Sequence, residues 1–328
     1  MPEEAELLRG SEVPLRAPVP RVPAEPARPP NISVLVPAYN AAATIGEALE
    51  SALTQVPAPF EVVVSDDGSS DDLDRALQPF RGRITVVRGP NGGLAVARNR
   101  AADVARGDLL ALLDADDIWL PGRVRALRAA AAARPDLSIL TTDAVESREG
   151  VRTPGTYYGV RSFATEQQEL AILCNNFIFG AGAVRAPAFR SVGGYRAGTR
   201  YAEDWDLWVR LLLTGHRAGL VDQPLYEYRR RAESLTGQRV DLALGVLGLL
   251  DRTRSMDLDE PQRRQLRLTK QRWRETAASA AHHADDRRAR TLAVRAAAGA
   301  GARARSRLRY GAAALLPRRA LALRTGRR

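Results

Sequence analysis

The sequence is poor in the residues that form disulfides, metal centres and membrane spans. Its 328 residues include one cysteine, Cys174, and three histidines. A lone cysteine forms no intrachain disulfide and builds no cysteine-clustered zinc site, which fits a reducing compartment. No run approaches the roughly 18 apolar residues that span a bilayer, and the opening residues lack the basic and then apolar pattern of a signal peptide. We therefore expect a cytoplasmic protein.

Several catalytic motifs are absent as well. The chain contains no GxxxxGK[ST], no HExxH and no GxSxG. These absences argue against P-loop nucleotide hydrolysis and against the protease and esterase activities that use the other two motifs. The nearest GxG, Gly180-Ala181-Gly182, lacks the third glycine and the acidic partner of a dinucleotide-binding turn. Aromatic residues make up 5% of the chain, too few to favour RNA binding on an aromatic sheet face. We predict no nucleic acid partner.

The net charge of +11 is concentrated at the C-terminal end. Residues 263–328 carry 19 Lys and Arg against 3 Asp and Glu, with alternating arginines at Arg303, Arg305, Arg307 and Arg309. One interpretation is a solvated helical face or a frayed tail. The other is attraction to polyanionic glycans or to anionic lipid headgroups, which would hold the protein peripherally on the inner face of the cell membrane.

Composition and periodicity divide the chain into three parts. Residues 1–30 are rich in Pro, Glu, Ala and Arg and have no apolar period, which predicts a disordered leader. Residues 31–236 alternate strand-like and helix-like patterns and form the predicted main domain. Residues 237–328 are rich in Ala and Arg and predict a helical C-terminal extension.

The main domain is predicted to have an α/β fold. Four short apolar runs alternate with helical patterns, which is typical of a Rossmann-like, mostly parallel sheet with flanking helices. These predicted strands are residues 32–36, which Pro37 should end, 61–64, 84–87 and 109–113. Further along, we expect a strand at 137–141, an antiparallel strand at 177–184 and a helix at 202–213.

Polar residues follow three of the predicted strands, at Pro37 to Asn40, Asp66 to Gly68 and Asp114 to Asp117. Because ligands bind beyond the carboxyl ends of parallel strands, we expect these segments to converge on one crevice. Clustered carboxylates need a counter-charge, and a divalent cation completed by substrate phosphates is one candidate. The alternative is an acidic loop in which an aspartate caps the next helix.

A second acidic cluster, Glu203-Asp204 and Asp206, opens the helix predicted at 202–213. Its predicted buried stripe consists of Leu207, Trp208, Leu211 and Leu212. Such a stripe would fix the first-turn carboxylates in position at the start of the helix. The alternative is a favourable interaction with the helix dipole together with an Asp206–Arg210 ion pair.

Six motifs follow one another along the chain: Val34–Asn40, Val62–Asp71, Gly93–Asn99, Leu113–Asp117, Gly193–Tyr195 and Glu203-Asp204. In this order they resemble the family 2 glycosyltransferases, which have a GT-A fold. The resemblance covers about residues 31–236. It implies an inverting transfer of a sugar from a nucleotide-diphosphate donor to a hydroxyl of a glycan or lipid-linked acceptor, in polysaccharide or glycoconjugate biosynthesis.

The resemblance also implies roles for individual residues in donor binding. Asp67 matches the aspartate that holds the nucleotide base, and Arg98 and Asn99 match residues that line the nucleotide pocket. The matching nucleotide-sugar-binding motifs further contain Pro37, Tyr39, Asn40 and Gly93.

The remaining implied roles concern the diphosphate and the acceptor. In the DxD motif, Asp114 would lie near the ribose and Asp116 would bind Mg²⁺ or Mn²⁺ on the diphosphate. Asp204 would be the catalytic base, with Glu203 beside it. Arg231 stands where family members often carry a histidine, and its guanidinium is suited to gripping a diphosphate.

Two alternative functions remain. A sugar-nucleotide nucleotidyltransferase shares the parallel sheet and the metal-binding acids, but its first loop is usually basic and rich in glycine, unlike residues 38–43. A non-catalytic nucleotide-sugar-binding module would not need Asp114, Asp116 and Asp204 together. Release of free nucleoside diphosphate separates the three functions.

Overall fold

The computed structural model describes residues 29–230, 239–284 and 288–299. The first 28 residues of the predicted leader and the alternating arginines from Arg303 to Arg309 lie outside the described residues. The division into leader, main domain and extension therefore stays a prediction.

The first half of the sheet is parallel, as expected. Its strands are β1 (Ile32–Ala38), β2 (Glu61–Asp66), β3 (Thr85–Arg88) and β4 (Leu109–Leu112), in the spatial order β3-β2-β1-β4. The connecting helices are α1 (Ile45–Leu53), α2 (Leu73–Leu77), followed by a short 3₁₀ turn, and α3 (Leu94–Val104). Every residue of β1 and β4 is buried, because helices cover both faces of such a sheet.

The prediction that Pro37 ends the first strand is wrong. Strand β1 continues to Ala38, and Pro37 lies opposite Ser65 of β2. Leu35 faces β4, since its carbonyl accepts a hydrogen bond from the Leu113 amide. Residues two positions apart in a strand direct their backbone hydrogen-bonding groups toward the same neighbouring strand. The backbone of Pro37 therefore also faces β4. Strand β4 has already ended there, and the missing N–H of proline forfeits no ladder hydrogen bond.

The second half of the sheet is mixed. Its elements are β5 (Ile118–Trp119), α4 (Arg123–Ala133), β6 (Ile139–Arg148), β7 (Val151–Arg152), α5 (Gln168–Cys174), β8 (Ala183–Arg185), α6 (Ala186–Ser191), α7 (Glu203–Leu213) and β9 (Ala218–Arg230). The sheet continues β4-β8-β6-β9-β5, with β7 paired to β6. Only β6 and β9 pair in parallel here; the other pairs among these strands are antiparallel.

Tertiary pairing set the lengths of several of these strands. The strand expected at 137–141 runs to Arg148, whereas the one expected at 177–184 shrinks to β8. Strand β9, 13 residues long, was not predicted because Gly219 and Pro224 interrupt its local pattern. Strand β6 supplies its partner along most of its length, with register shifts beside Asp143 that absorb the irregularity.

The C-terminal extension is helical, as predicted, within the described residues. It contains α8 (Arg239–Thr253), α9 (Glu260–His283) and α10 (Ala289–Ala297). Leu249, Leu250, Leu258 and Leu266 belong to the same buried core as the sheet. The extension therefore packs directly on the main domain. None of the described helices combines the length and the apolar character that crossing a membrane requires.

Candidate active site

The loops after β1 and β2 meet at the carboxyl edge of the sheet. The Asn40 amide donates to Ser69 Oγ at 3.0 Å, and the Ser70 amide donates to Asn40 Oδ1 at 2.8 Å. Asn40 adopts a left-handed conformation with φ of 50°, which asparagine tolerates better than most residues. Tyr39 leaves 53% of its surface exposed at this edge, whereas Pro37 is buried within β1. The predicted convergence of these two strand ends is therefore present.

Asp67 organises the glycine loop that leads into α3. Its buried carboxylate accepts the Gly93 amide at 2.8 Å and the Gly92 amide at 3.1 Å. Arg100 Nη1 donates to the same carboxylate at 3.2 Å. Gly93 has φ of 85°, a conformation that L side chains rarely adopt. Asp67 thus fixes the backbone of the predicted nucleotide pocket, and direct contact with a base stays a prediction.

Arg98 joins two motifs that are far apart in the sequence. Its guanidinium is almost completely buried, with Nη2 donating to Asp114 Oδ1 at 2.9 Å and Nη1 to Glu203 Oε1 at 2.8 Å. It also lies 5.4 Å from the centre of the Tyr195 ring. Burial disfavours the charged form, but the acidic neighbours outweigh it and hold the pKa of Arg98 well above its ordinary value.

Asn99 supports the site through the backbone. Its Nδ2 donates to the Tyr195 carbonyl at 2.7 Å, and its Oδ1 accepts the Tyr195 amide at 2.8 Å. Gly194 has φ of 65°, and a Cβ there would lie 2.7 Å from Asn99 Oδ1. The side-chain amide is therefore engaged with the Gly193–Tyr195 turn. A direct contact of Asn99 with the nucleotide stays a prediction, and Arg231 lies outside the described residues.

The predicted acids at the start of α7, Glu203 and Asp204, lie beside the buried Arg98 guanidinium. Asp204 Oδ2 accepts from Asn176 Nδ2 at 3.1 Å, and Asp204 Oδ1 accepts the Trp205 amide at 2.7 Å. Burial raises the pKa of Glu203 to about 7, although Arg98 opposes the shift. Burial also raises the pKa of Asp204. The preceding Ala202 has φ of 59°, an unusual conformation of the kind found at functional sites.

The buried stripe of α7 is confirmed, and so is its internal ion pair. Leu207, Trp208, Leu211 and Leu212 are all buried. Asp206 is buried too, with Arg210 Nε at 2.8 Å and Arg252 Nη2 at 3.3 Å from its carboxylate oxygens. Arg252 belongs to α8, so Asp206 anchors α7 to the extension.

The three carboxylates after β4 have different environments. Asp114 binds Arg98, and Asp116 is half-buried on the same loop. Asp117 is buried, with Oδ2 accepting from the Tyr226 hydroxyl at 2.7 Å and Oδ1 from the Arg229 amide at 2.8 Å. Burial and the neighbouring Asp114 and Asp116 raise the pKa of Asp117 well above its ordinary value. Asp117 therefore ties the acidic loop to β9, a role hidden from the sequence because β9 itself was not predicted.

Arg123 is a second buried cation, and no sequence motif singled it out. It lies between the rings of Trp119 and Tyr226, at 5.2 and 5.0 Å from their centres, and its Nη2 donates to the Ala181 carbonyl at 2.6 Å. Burial lowers the pKa of Arg123 to about 10. The adjacent Gly180 packs against Asp204, since a Cβ there would lie 2.7 Å from Asp204 Oδ2. The glycines of this segment signalled such a close approach.

Comparison with known proteins places the chain in a family. The sequence model of Glycosyl transferase family 2 matches residues 33–193. The succinoglycan biosynthesis protein ExoU of Rhizobium meliloti (strain 1021) is 30% identical over 69% of this chain and 70% of its own length. A chondroitin synthase of Escherichia coli is 31% identical over 57% of this chain, but this region is only 27% of that protein.

Solved structures share the fold. S. aureus TarS residues 1–349 in complex with UDP-GlcNAc is 20% identical, with a TM-score of 0.54 over 80% of this chain and 75% of that one. The mannosyltransferase PcManGT of Pyrobaculum calidifontis, in complex with GDP-Man and Mn²⁺, is 22% identical, with a TM-score of 0.58 over 97% of this chain and 88% of its own. The shared fold, the family match and the long alignment with ExoU show that this chain belongs to glycosyltransferase family 2 and is a nucleotide-sugar glycosyltransferase.

Proposed function

We propose that the chain is an inverting glycosyltransferase that moves a sugar from a nucleoside diphosphate to a hydroxyl of a glycan or lipid-linked acceptor. The observation that carries the proposal is the buried bridge from Arg98 to Asp114 and Glu203, because it brings the predicted donor motif beside the predicted base. The role of ExoU in succinoglycan biosynthesis supports a place in polysaccharide or glycoconjugate synthesis.

The proposed reaction is a single displacement. The acceptor oxygen attacks the anomeric carbon as the bond from that carbon to the diphosphate oxygen breaks, and the acceptor proton passes to Asp204. One displacement inverts the anomeric centre and needs no covalent intermediate. Burial raises the pKa of Asp204, and a carboxylate of higher pKa is a stronger base when it is ionised. Glu203 is held by Arg98 and is the less available of the two acids.

Donor binding is assigned to the loops after β1, β2 and β4. Asp67 fixes the Gly92 and Gly93 amides, so the nucleotide pocket is preorganised. The exposed ring of Tyr39 offers an apolar surface at the same edge of the sheet. The complexes of TarS with UDP-GlcNAc and of PcManGT with GDP-Man support a nucleotide-sugar donor.

A divalent metal, Mg²⁺ or Mn²⁺, is the finer part of the proposal. Within residues 29–230, 239–284 and 288–299, no three His, Cys, Asp or Glu side chains are arranged to hold a metal by themselves. This fits a site completed by substrate, since such metals are often held by one or two carboxylates together with phosphates. Asp116 would supply the carboxylate. When bound, the metal offsets charge on the leaving diphosphate.

A thermal-shift screen tests the donor and the metal together. Nucleotide sugars are added with and without Mn²⁺, and a ligand bound by the native state raises the melting temperature. We expect one nucleotide sugar to raise it strongly, and more so with Mn²⁺. The product is then identified with the selected donor: free nucleoside diphosphate supports glycosyl transfer, whereas pyrophosphate supports nucleotidyl transfer. Binding without any product supports the non-catalytic module.

A further inference from the structure

Asn176 contacts the proposed base from the segment between α5 and β8. Its Nδ2 donates to Asp204 Oδ2 at 3.1 Å. Its Oδ1 is buried and has no hydrogen-bond partner among the described residues. Because an ionised carboxylate only accepts hydrogen bonds, the amide nitrogen must face Asp204 and the carbonyl oxygen must face away. A buried acceptor without a partner is unfavourable, so the contact with Asp204 determines how this side chain is oriented.

The carboxylate of Asp204 is confined on both of its oxygens. Oδ1 accepts the amide of Trp205 at 2.7 Å. On the other side, a Cβ at Gly180 would lie 2.7 Å from Oδ2, so the backbone packs closely there. Asn176 is the side chain that contacts Oδ2. It therefore selects one rotamer of the carboxylate from those that the backbone leaves open.

The charge of Asp204 depends on several neighbours. Burial raises its pKa, while Arg98, the Trp205 amide and Asn176 lower it. Asn176 acts on this carboxylate without being ionisable itself. The ionisable groups that face Asp204 are Arg98, Asp114, Tyr157, Tyr195 and Glu203.

We propose that Asn176 is a positioning residue, whose amide fixes the rotamer of Asp204 and stabilises its ionised form for proton transfer. This inference rests on the proposed function, in which Asp204 takes the proton of the acceptor. It adds to that function a hydrogen bond from Asn176 to Asp204. Loss of this bond should shift the titration of Asp204 and leave the donor pocket unchanged.

The direct test is a titration of Asp204 in the full-length protein. Aspartate side chains are labelled with ¹³C, and the Asp204 signal is identified by its loss in Asp204→Asn. In Asn176→Ala we expect the pKa of Asp204 to rise by about one pH unit, the size expected for losing a hydrogen bond to a charged group. Asn175→Ala is the matched control, because it removes the adjacent side-chain amide, and no shift is expected there. Asn176→Ser, which keeps a hydroxyl donor, should fall between wild type and Asn176→Ala.

A kinetic readout connects the titration to the reaction. Nucleoside diphosphate release from the nucleotide sugar selected by thermal shift is followed against pH, with water as the acceptor. In Asn176→Ala the acidic limb of the profile should move to higher pH by the same amount, with the donor Kd unchanged. An unshifted Asp204 signal in folded Asn176→Ala, or in Asn176→Ser if the alanine variant does not fold, overturns the proposal. Full activity of Asp204→Asn overturns instead the assignment of the base, and the titration distinguishes the two failures because it needs no turnover.

Discussion

Replacing Arg98 by methionine tests the charge bridge at the centre of the candidate site. Methionine keeps an unbranched apolar stem and removes the guanidinium, so Asp114 and Glu203 lose their shared partner. Removing one member of a buried ion pair typically costs about 3–5 kcal/mol, because the other charge stays buried without compensation.

The structure sets where in that range the loss should fall. The Arg98 side chain is 4% exposed and that of Glu203 12%, whereas Asp114 leaves 30% of its side chain to solvent. Water can hydrate Asp114 once the guanidinium is gone, but it reaches Glu203 poorly. We therefore expect a loss of about 3 kcal/mol in the free energy of unfolding near pH 8, mostly from Glu203.

The loss should depend on pH in a defined direction. Burial already raises the pKa of Glu203 to about 7 with Arg98 opposing the shift, so the variant raises it further. The folded state then holds a proton that the unfolded state releases near the ordinary glutamate pKa of about 4.3. The stabilisation that this retained proton gives the variant is fully present below that value, and it is lost as pH rises through the pKa of Glu203 in the folded state. The destabilisation near pH 5 should thus be smaller than near pH 8 by up to about 1.4 kcal/mol, because Glu203 differs in protonation between the two proteins only over the one pH unit from its wild-type pKa of about 7 to pH 8.

Urea unfolding of both proteins at several pH values measures this difference. The control is Arg75→Met, since Arg75 pairs with Asp72 at 3.8 Å while 82% of its side chain is exposed. An exposed pair contributes under about 1 kcal/mol. A destabilisation of Arg98→Met that is equal near pH 5 and near pH 8, or no larger than that of Arg75→Met, would refute the bridge as the source of the stability.

Three further changes test the site and the extension. Asp204→Asn should lower the rate of nucleoside diphosphate release by about 10²–10⁴ and leave the nucleotide-sugar Kd unchanged; an unchanged rate moves the search for the base to Glu203. Asp116→Ala should abolish the gain in donor affinity on adding Mn²⁺, measured by calorimetry; a normal gain contradicts the metal assignment. At low salt, a chain ending at residue 299 should co-sediment with anionic vesicles less than the full chain does. The difference should shrink as salt screens the charges. Equal sedimentation of the two chains would contradict the membrane interpretation. A shorter chain ending before α9 would not serve, because Leu266 of α9 belongs to the main core.

Local sequence signals were enough for the first half of the fold. Apolar runs separated by helical patterns predicted β1 to β4 with helices between them, and the polar residues after each run marked the carboxyl edge. The buried stripe of α7 and the Asp206–Arg210 pair also followed from helical spacing. These features depend on neighbours a few residues apart, so their pattern is visible in the chain itself.

Strand β9 and the partners of the acidic residues were decided only by the tertiary structure. The Asp117–Tyr226 hydrogen bond spans 109 positions, and the Arg98–Glu203 pair spans 105. The sequence showed that acids and an arginine were present, but it did not show that Arg98 joins Asp114 to Glu203 or that Asp117 is used to hold β9. Which carboxylate is paired, buried or left for substrate depends on distances and burial that arise when separate segments pack together, and local periodicity carries no record of them.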